Sequence, residues 1–234
     1  MPRATTNRRS RRRHKSAPTP AAPAPRTPRG QATRAALIRA AREIFERDGF
    51  LEARITDITS RADAATGSFY SYFSSKEQIF SALIDTINEE EGLHPPTMDF
   101  LADAGDELVA RVAEHHREYL QHYARNAKLM SVMEQVTNIS DSFRRHRTEA
   151  AQPFMHANAE AIRRLQAAGL ADPKLDPMQS ARSLSTMVSR SAFVAFVLEE
   201  EGLEALDVLV PTLTRLWVNA LAIPVNPADL AQFA

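Results

Sequence analysis

Residues 66–76, TGSFYSYFSSK, set four aromatic rings among hydroxyls and a glycine and close on a lysine. Projected on a helix from Thr66 at 100° per residue, Phe69 and Phe73 fall at about 300° and 340°, and Gly67, Ser71 and Ser68 at about 100°, 140° and 200°. One face is apolar and the opposite one is slim and polar. Tyr70 and Tyr72, at about 40° and 240°, stand on the shoulders between them. A helix laid in the DNA major groove needs this layout: a seam for the core, a thin face that can approach base edges, and hydroxyls directed at the phosphate walls. Lys76 at a helix start is unfavourable for the helix dipole, and a nearby phosphate would offset that cost.

A second group with chemical potential is HHREYLQH, residues 115–122, where His115, Glu118 and His122 share a helical face. The set suggests a helical metal-binding protein or enzyme as the alternative function. Its spacing matches no hydrolytic zinc motif, and a solvated polar face is the default for such residues. There is no cysteine, hence no disulfide framework, thiolate site or Cys nucleophile. No Gly-rich phosphate loop or G-x-S-x-G elbow occurs, so neither a cofactor nor an enzymatic activity is expected.

These residues need a frame, and the chain has the means to build one. With 234 residues and 44% apolar content it can bury a sizeable core. No apolar run approaches the roughly 18 residues that span a bilayer, and no signal-peptide core follows the basic start, so a soluble cytoplasmic protein without membrane contact is expected. The net charge of zero hides an asymmetry: residues 1–30 hold eight Arg and one Lys without an acid, leaving 20 basic against 29 acidic side chains in the rest. The Pro-rich basic tail, 1–29, is expected to be disordered, as a solvated leader, a phosphate-contacting arm or, less well supported, a transit peptide.

From residue 31 the apolar spacing is helical. Leu37, Ala41, Ile44 and Phe45 define a first helix that Asp48-Gly49 should end. Thr56 is placed to cap a short second helix with Ile58 and Ala62 turned inward, a turn at Asp63 to Ala65 leads into the aromatic stretch with Thr66 as its cap, and Ser75 can cap the next helix. Helix, short helix, tight turn, short helix and long helix is the order of a helix-turn-helix domain.

The run ITDITSRADAATGSFYSYFSSKEQIF, residues 55–80, resembles the DNA-binding signature of TetR-type transcriptional repressors through Thr56, Ile58, Ala62, Gly67, Phe69, Tyr70, Tyr72, Phe73, Ser75, Lys76 and Glu77. It departs at Asp63, where the turn glycine is usual, and at Ala65, where a Ser often caps the recognition helix. The resemblance covers about residues 30–90, with the motif at about 53–72. It implies an all-α protein: an N-terminal three-helix DNA-binding domain followed by a larger helical domain, 95–234, that binds a small effector and forms a homodimer on a pseudo-palindromic double-stranded operator. By the same resemblance Thr56, Tyr70, Tyr72 and Lys76 would hold phosphates and Thr66, Gly67 and Ser68 would lie closest to bases, with Ser71 on the same slim face. No Arg, Asn or Gln occupies that face, so shape and small contacts carry more of the specificity.

In the second domain, helices are expected at about 101–124, 126–138, 141–168, 177–200 and 203–222, with Pro95-Pro96 at the joint and Pro153 and Pro211 kinking or breaking their helices. Tyr119, Tyr123, Met130, Met133, Phe154, Met155, Met187, Phe193 and Phe196 supply bulky, adaptable side chains that would surround a lipophilic effector, a fatty acyl chain among the possibilities. Arg190, three residues before Phe193, can answer an effector carboxylate or make a surface ion pair. Leu206, Leu209, Leu213, Leu216, Trp217 and Leu221 form a stripe assigned to a two-fold interface through the last two helices.

Overall fold

The computed structural model describes residues 27–91 and 107–224. The basic tail up to residue 26 and the joint at Pro95-Pro96 lie outside the described residues. Among those described the chain is all helical: α1 Pro28–Glu52, α2 Ile55–Arg61, α3 Thr66–Tyr70 and α4 Lys76–Glu91, then α5 Leu108–Arg125, α6 Ala127–Ile139, α7 Asp141–Ala167, α8 Pro177–Phe193 and α9 Leu206–Ala220. No described helix is long and apolar enough to cross a membrane.

The first four helices close around aromatic residues. Phe45, Phe50 and Phe80 meet with ring centroids 5.2–5.9 Å apart, and Phe69 and Phe73 pack together at 5.6 Å. This core continues into Leu129, Val132 and Val136 of α6 and Phe143 of α7. The first four helices and the larger helical unit are therefore welded through packed side chains, with α1 against α6 and α4 against α7. Arg42 of α1 adds a hydrogen bond to Asn126 at the α5–α6 corner, 2.9 Å.

Several local expectations change. Gly49 interrupts the first helix where the sequence suggested, with non-helical φ 72° and ψ −179°, and a short helical turn follows across the kink before Ala53. Helix α2 begins at Ile55 and α3 at Thr66, with Arg54 and Ala65 extended before them and no side-chain cap on either; Thr56 and Thr66 sit inside the helices instead of capping them. Ser75 does cap α4, its hydroxyl accepting from the Gln78 amide at 3.2 Å. Asp63 takes up the turn's left-handed conformation, φ 49°.

Neither Pro153 nor Pro211 breaks its helix. Pro153 lies on the exposed face of α7. Helix α8 gives way to a π-helical turn, Val194–Leu198, and a 3-10 turn, Leu203–Ala205, precedes α9.

The apolar stripe of α9 mostly belongs to the protomer itself. Leu206, Leu213, Trp217 and Leu221 are buried among α5, α7 and α8 residues, while Leu216 stays 49% exposed. The outward apolar residues of this region are Val208 and Leu216, with Leu198 and Leu203 on the preceding turns.

Candidate nucleic-acid interface and ligand cavity

Helix α3 is five residues long and is held by Phe69, which has no exposure, with Phe73 anchoring the turn after it. Burying one such ring contributes about 1.5–3 kcal/mol toward holding so short a helix in place. Thr56, Thr66, Gly67, Tyr70 and Ser71 are exposed, Ser68 and Tyr72 partly so, and Tyr72 leans on the domain core. Thr66 lies 3.5 Å from the Thr59 hydroxyl. A Cβ built on Gly67 would meet nothing within 4 Å, and its φ is not positive. Neither backbone nor internal packing requires glycine at this position.

Lys76 is differently employed from what its position in the sequence suggested. Its ammonium donates to the carbonyls of Leu51 at 3.2 Å and Ala53 at 2.8 Å and sits 4.6 Å from the centre of the Phe50 ring. The cation thus closes the C-terminal end of α1, where the dipole favours it, and burial lowers its pKa. This ties the first turn of α4, just beyond α3, to the end of α1. Arg34 of α1 lies over Phe73 at 5.4 Å and adds a cation close to α3 that the aromatic motif did not bring into view.

In the larger unit a cavity of about 700 Å³ opens between α4, α5, α6, α7 and α8. Tyr119, Tyr123, Met130, Met133, Phe154, Met155 and Phe193 line it, as their types suggested; Met187 and Phe196 do not, and pack instead in the apolar core around α8. Burial raises the Tyr119 phenol to about 12, and desolvation likewise raises Tyr123, so both are neutral donors at physiological pH. Arg190 also reaches the cavity, over the Phe193 ring at 4.6 Å. Ile84, Asp85 and Asn88 bring α4 into the wall. There Asp85 meets His146 of α7 at 3.1 Å, a hydrogen bond that raises the His146 pKa.

The histidine-rich stretch of α5 is largely interior. His115, His116 and His122 are 8%, 2% and 4% exposed, whereas Glu118 faces solvent. Asn126 lies 2.9 Å from the His122 ring nitrogen Nε2. The three residues of the proposed metal set therefore do not converge, and among the described residues there is no cluster of three metal-ligating side chains. The sequence does carry the signal for His116: it follows Val112 and precedes Leu120 by four residues each, on the buried stripe of the helix.

A slim helix held by two phenylalanines in a helix-turn-helix frame, joined through packed helices to a cavity-bearing unit, has the layout of a DNA-binding protein. Residues 37–83 match the family described as bacterial regulatory proteins, tetR family. The HTH-type transcriptional regulator EthR of Mycolicibacterium smegmatis is 25% identical over 198 residues, 83% of this chain and 89% of its own. Among solved structures, SmeT of Stenotrophomonas maltophilia in complex with triclosan superposes with a TM-score of 0.65 at 19% identity, covering 85% of this chain and 94% of that one. A TetR-family regulator from Mesorhizobium loti gives the same score at 16% identity over 83% and 98%. Residues 37–83 thus carry a tetR-family DNA-binding domain, and the chain as a whole is similar to HTH-type transcriptional regulators over most of its length.

Proposed function

We propose that the protein is a homodimeric repressor that holds a pseudo-palindromic operator through α3 and is released by a small apolar effector in the α4–α8 cavity. The observation that carries this reading is that one wall of the cavity is α4, the helix whose first turn is tied by Lys76 to the end of α1 and follows α3 directly. A ligand that moves α4 within the cavity moves the frame of the reading helix. The similar SmeT has been solved with triclosan and is the repressor of a multidrug efflux pump, which supports a small-molecule signal and repression here.

On the DNA side, Tyr70 and Thr56 are exposed where phosphates would pass, and Thr66, Gly67, Ser68 and Ser71 form the thin approach face. The open space beside Gly67 supports that assignment, because what its missing side chain makes room for lies outside the protomer. Tyr72 contributes through its hydroxyl edge. Lys76 acts on DNA by positioning α3, its charge being engaged by carbonyls. Dimerisation uses the outward residues of the last helices, Val208 and Leu216 foremost.

Selection of bound sequences from a random DNA pool with the full chain tests the reading. A two-fold symmetric motif is expected, together with its release by at least one apolar compound from a panel that binds the cavity. An asymmetric or absent motif would contradict it.

A further inference from the structure

The cavity contains a polar group, on His116, whose bonding is incomplete. His116 of α5 lines it, and its Nδ1 lies 3.0 Å from the Thr214 hydroxyl of α9. The other ring nitrogen, Nε2, is buried and has no hydrogen-bond partner among the described residues. A buried polar atom left unmet in a folded chain calls for an explanation.

The direction of the Thr214 bond decides what Nε2 can offer. Other helical threonines here donate to a carbonyl one turn back: Thr86 to Ala82, Thr137 to Met133, Thr186 to Arg182. Thr214, 1% exposed, instead has its hydroxyl against the His116 ring. If the hydroxyl donates to Nδ1, both of those groups are satisfied and the ring proton sits on Nε2, leaving one unmet donor. If Nδ1–H donates to the hydroxyl, the hydroxyl proton and the Nε2 lone pair are both left unmet. The first arrangement leaves one fewer buried group unpaired and is favoured.

Resting on the cavity as the effector site, we propose that His116 presents Nε2–H to the ligand, so that the effector is an apolar molecule bearing a neutral acceptor without a hydrogen of its own, such as a ketone, ester or amide carbonyl. Burial drives the imidazole pKa down to about 4, so the group is uncharged at neutral pH and has no call for an anion. A pure hydrocarbon of the same shape would leave the donor unpaired. An alcohol would bring a proton that needs an acceptor of its own.

Two matched probe pairs test this on the full chain: benzophenone against diphenylmethane, and 2-undecanone against undecane, each titrated by displacement of a solvatochromic dye. The ketone of each pair should bind about ten-fold tighter. His116→Phe should erase that difference while retaining the hydrocarbon, and His116→Gln, which keeps a donor, should restore part of it. Nitrogen-15 NMR of the ring supplies a reading that needs neither ligand nor variant: Nε2 should be protonated and Nδ1 bare. Equal affinity within both pairs, or a bare Nε2, overturns the anchor and leaves the cavity reading intact. If none of the four probes binds, the cavity reading falls and the anchor with it.

Discussion

At Gly67 the demands of folding and of the proposed DNA contact separate. No atom of the protomer lies where its side chain would be, and its backbone is one that any residue adopts. Gly67→Ala is therefore expected to stabilise the fold by about 0.4–1 kcal/mol through the unfolded chain, and yet to weaken or redirect DNA binding. Thermal unfolding and a DNA-shift titration on the same sample check both halves; an unchanged shift would remove Gly67 from the approach face. Tyr70→Ala, at a 59% exposed ring, should instead weaken all DNA sequences alike without altering preference. His116 gives a second residue-scale expectation. Its folded pKa of about 4 lies below the ordinary 6.5, so between these values the unfolded chain takes up a proton that the folded one refuses. Stability from this group should fall as pH drops from 6.5 to 4, by on the order of 3 kcal/mol in all. Urea midpoints across that range should show a shallower acid slope for His116→Gln than for the unsubstituted protein.

Among the elements, α3 depends on what surrounds it, being too short to persist alone. Lys76 fastens the neighbouring helix start to the end of α1, and Lys76→Met should cost roughly 1–2 kcal/mol by leaving two carbonyls without their charged donor. DNA affinity should fall further than the stability loss explains, through misplacement of α3; chemical denaturation alongside DNA titration separates the two effects. The helices themselves were largely legible in the sequence, since the 3.6-residue recurrence of apolar positions such as Leu37, Ala41 and Ile44 marks the buried stripe directly. Less legible was which neighbour a stripe meets. Met187 has the type of a cavity residue but packs in the core, and Leu206, Leu213 and Trp217 look alike for a dimer face or an internal one. Spacing gives a face, and only the arrangement of the other helices decides what covers it. Lys76 escaped for a related reason: its partners lie 23 and 25 residues away in sequence. His116 was missed because a polar residue on an apolar stripe reads as an exception until Thr214, 98 residues away, is brought beside it.

For the whole molecule, the proposed function requires two copies and two states. The outward pair Val208 and Leu216 on α9 should carry the two-fold contact, so Val208→Glu with Leu216→Glu should reduce the solution mass from twice the chain mass of 26.0 kDa to a single chain. Sedimentation analysis would show the change, and operator affinity should drop with it because two reading helices no longer bind as a unit. The proposed switch would act through the packing shared between α4, the cavity and the α6–α7 side of the first core. A ligand acts only through its difference in affinity for the two arrangements, and a hundredfold loss of operator affinity needs about 2.7 kcal/mol of coupling. The most direct measurement is therefore the affinity of one cavity-binding apolar ligand for the full chain, titrated with and without the selected operator. The expected result is that the operator weakens the ligand by the same factor by which the ligand weakens the operator; a ligand that fills the cavity with equal affinity in both titrations would contradict the account.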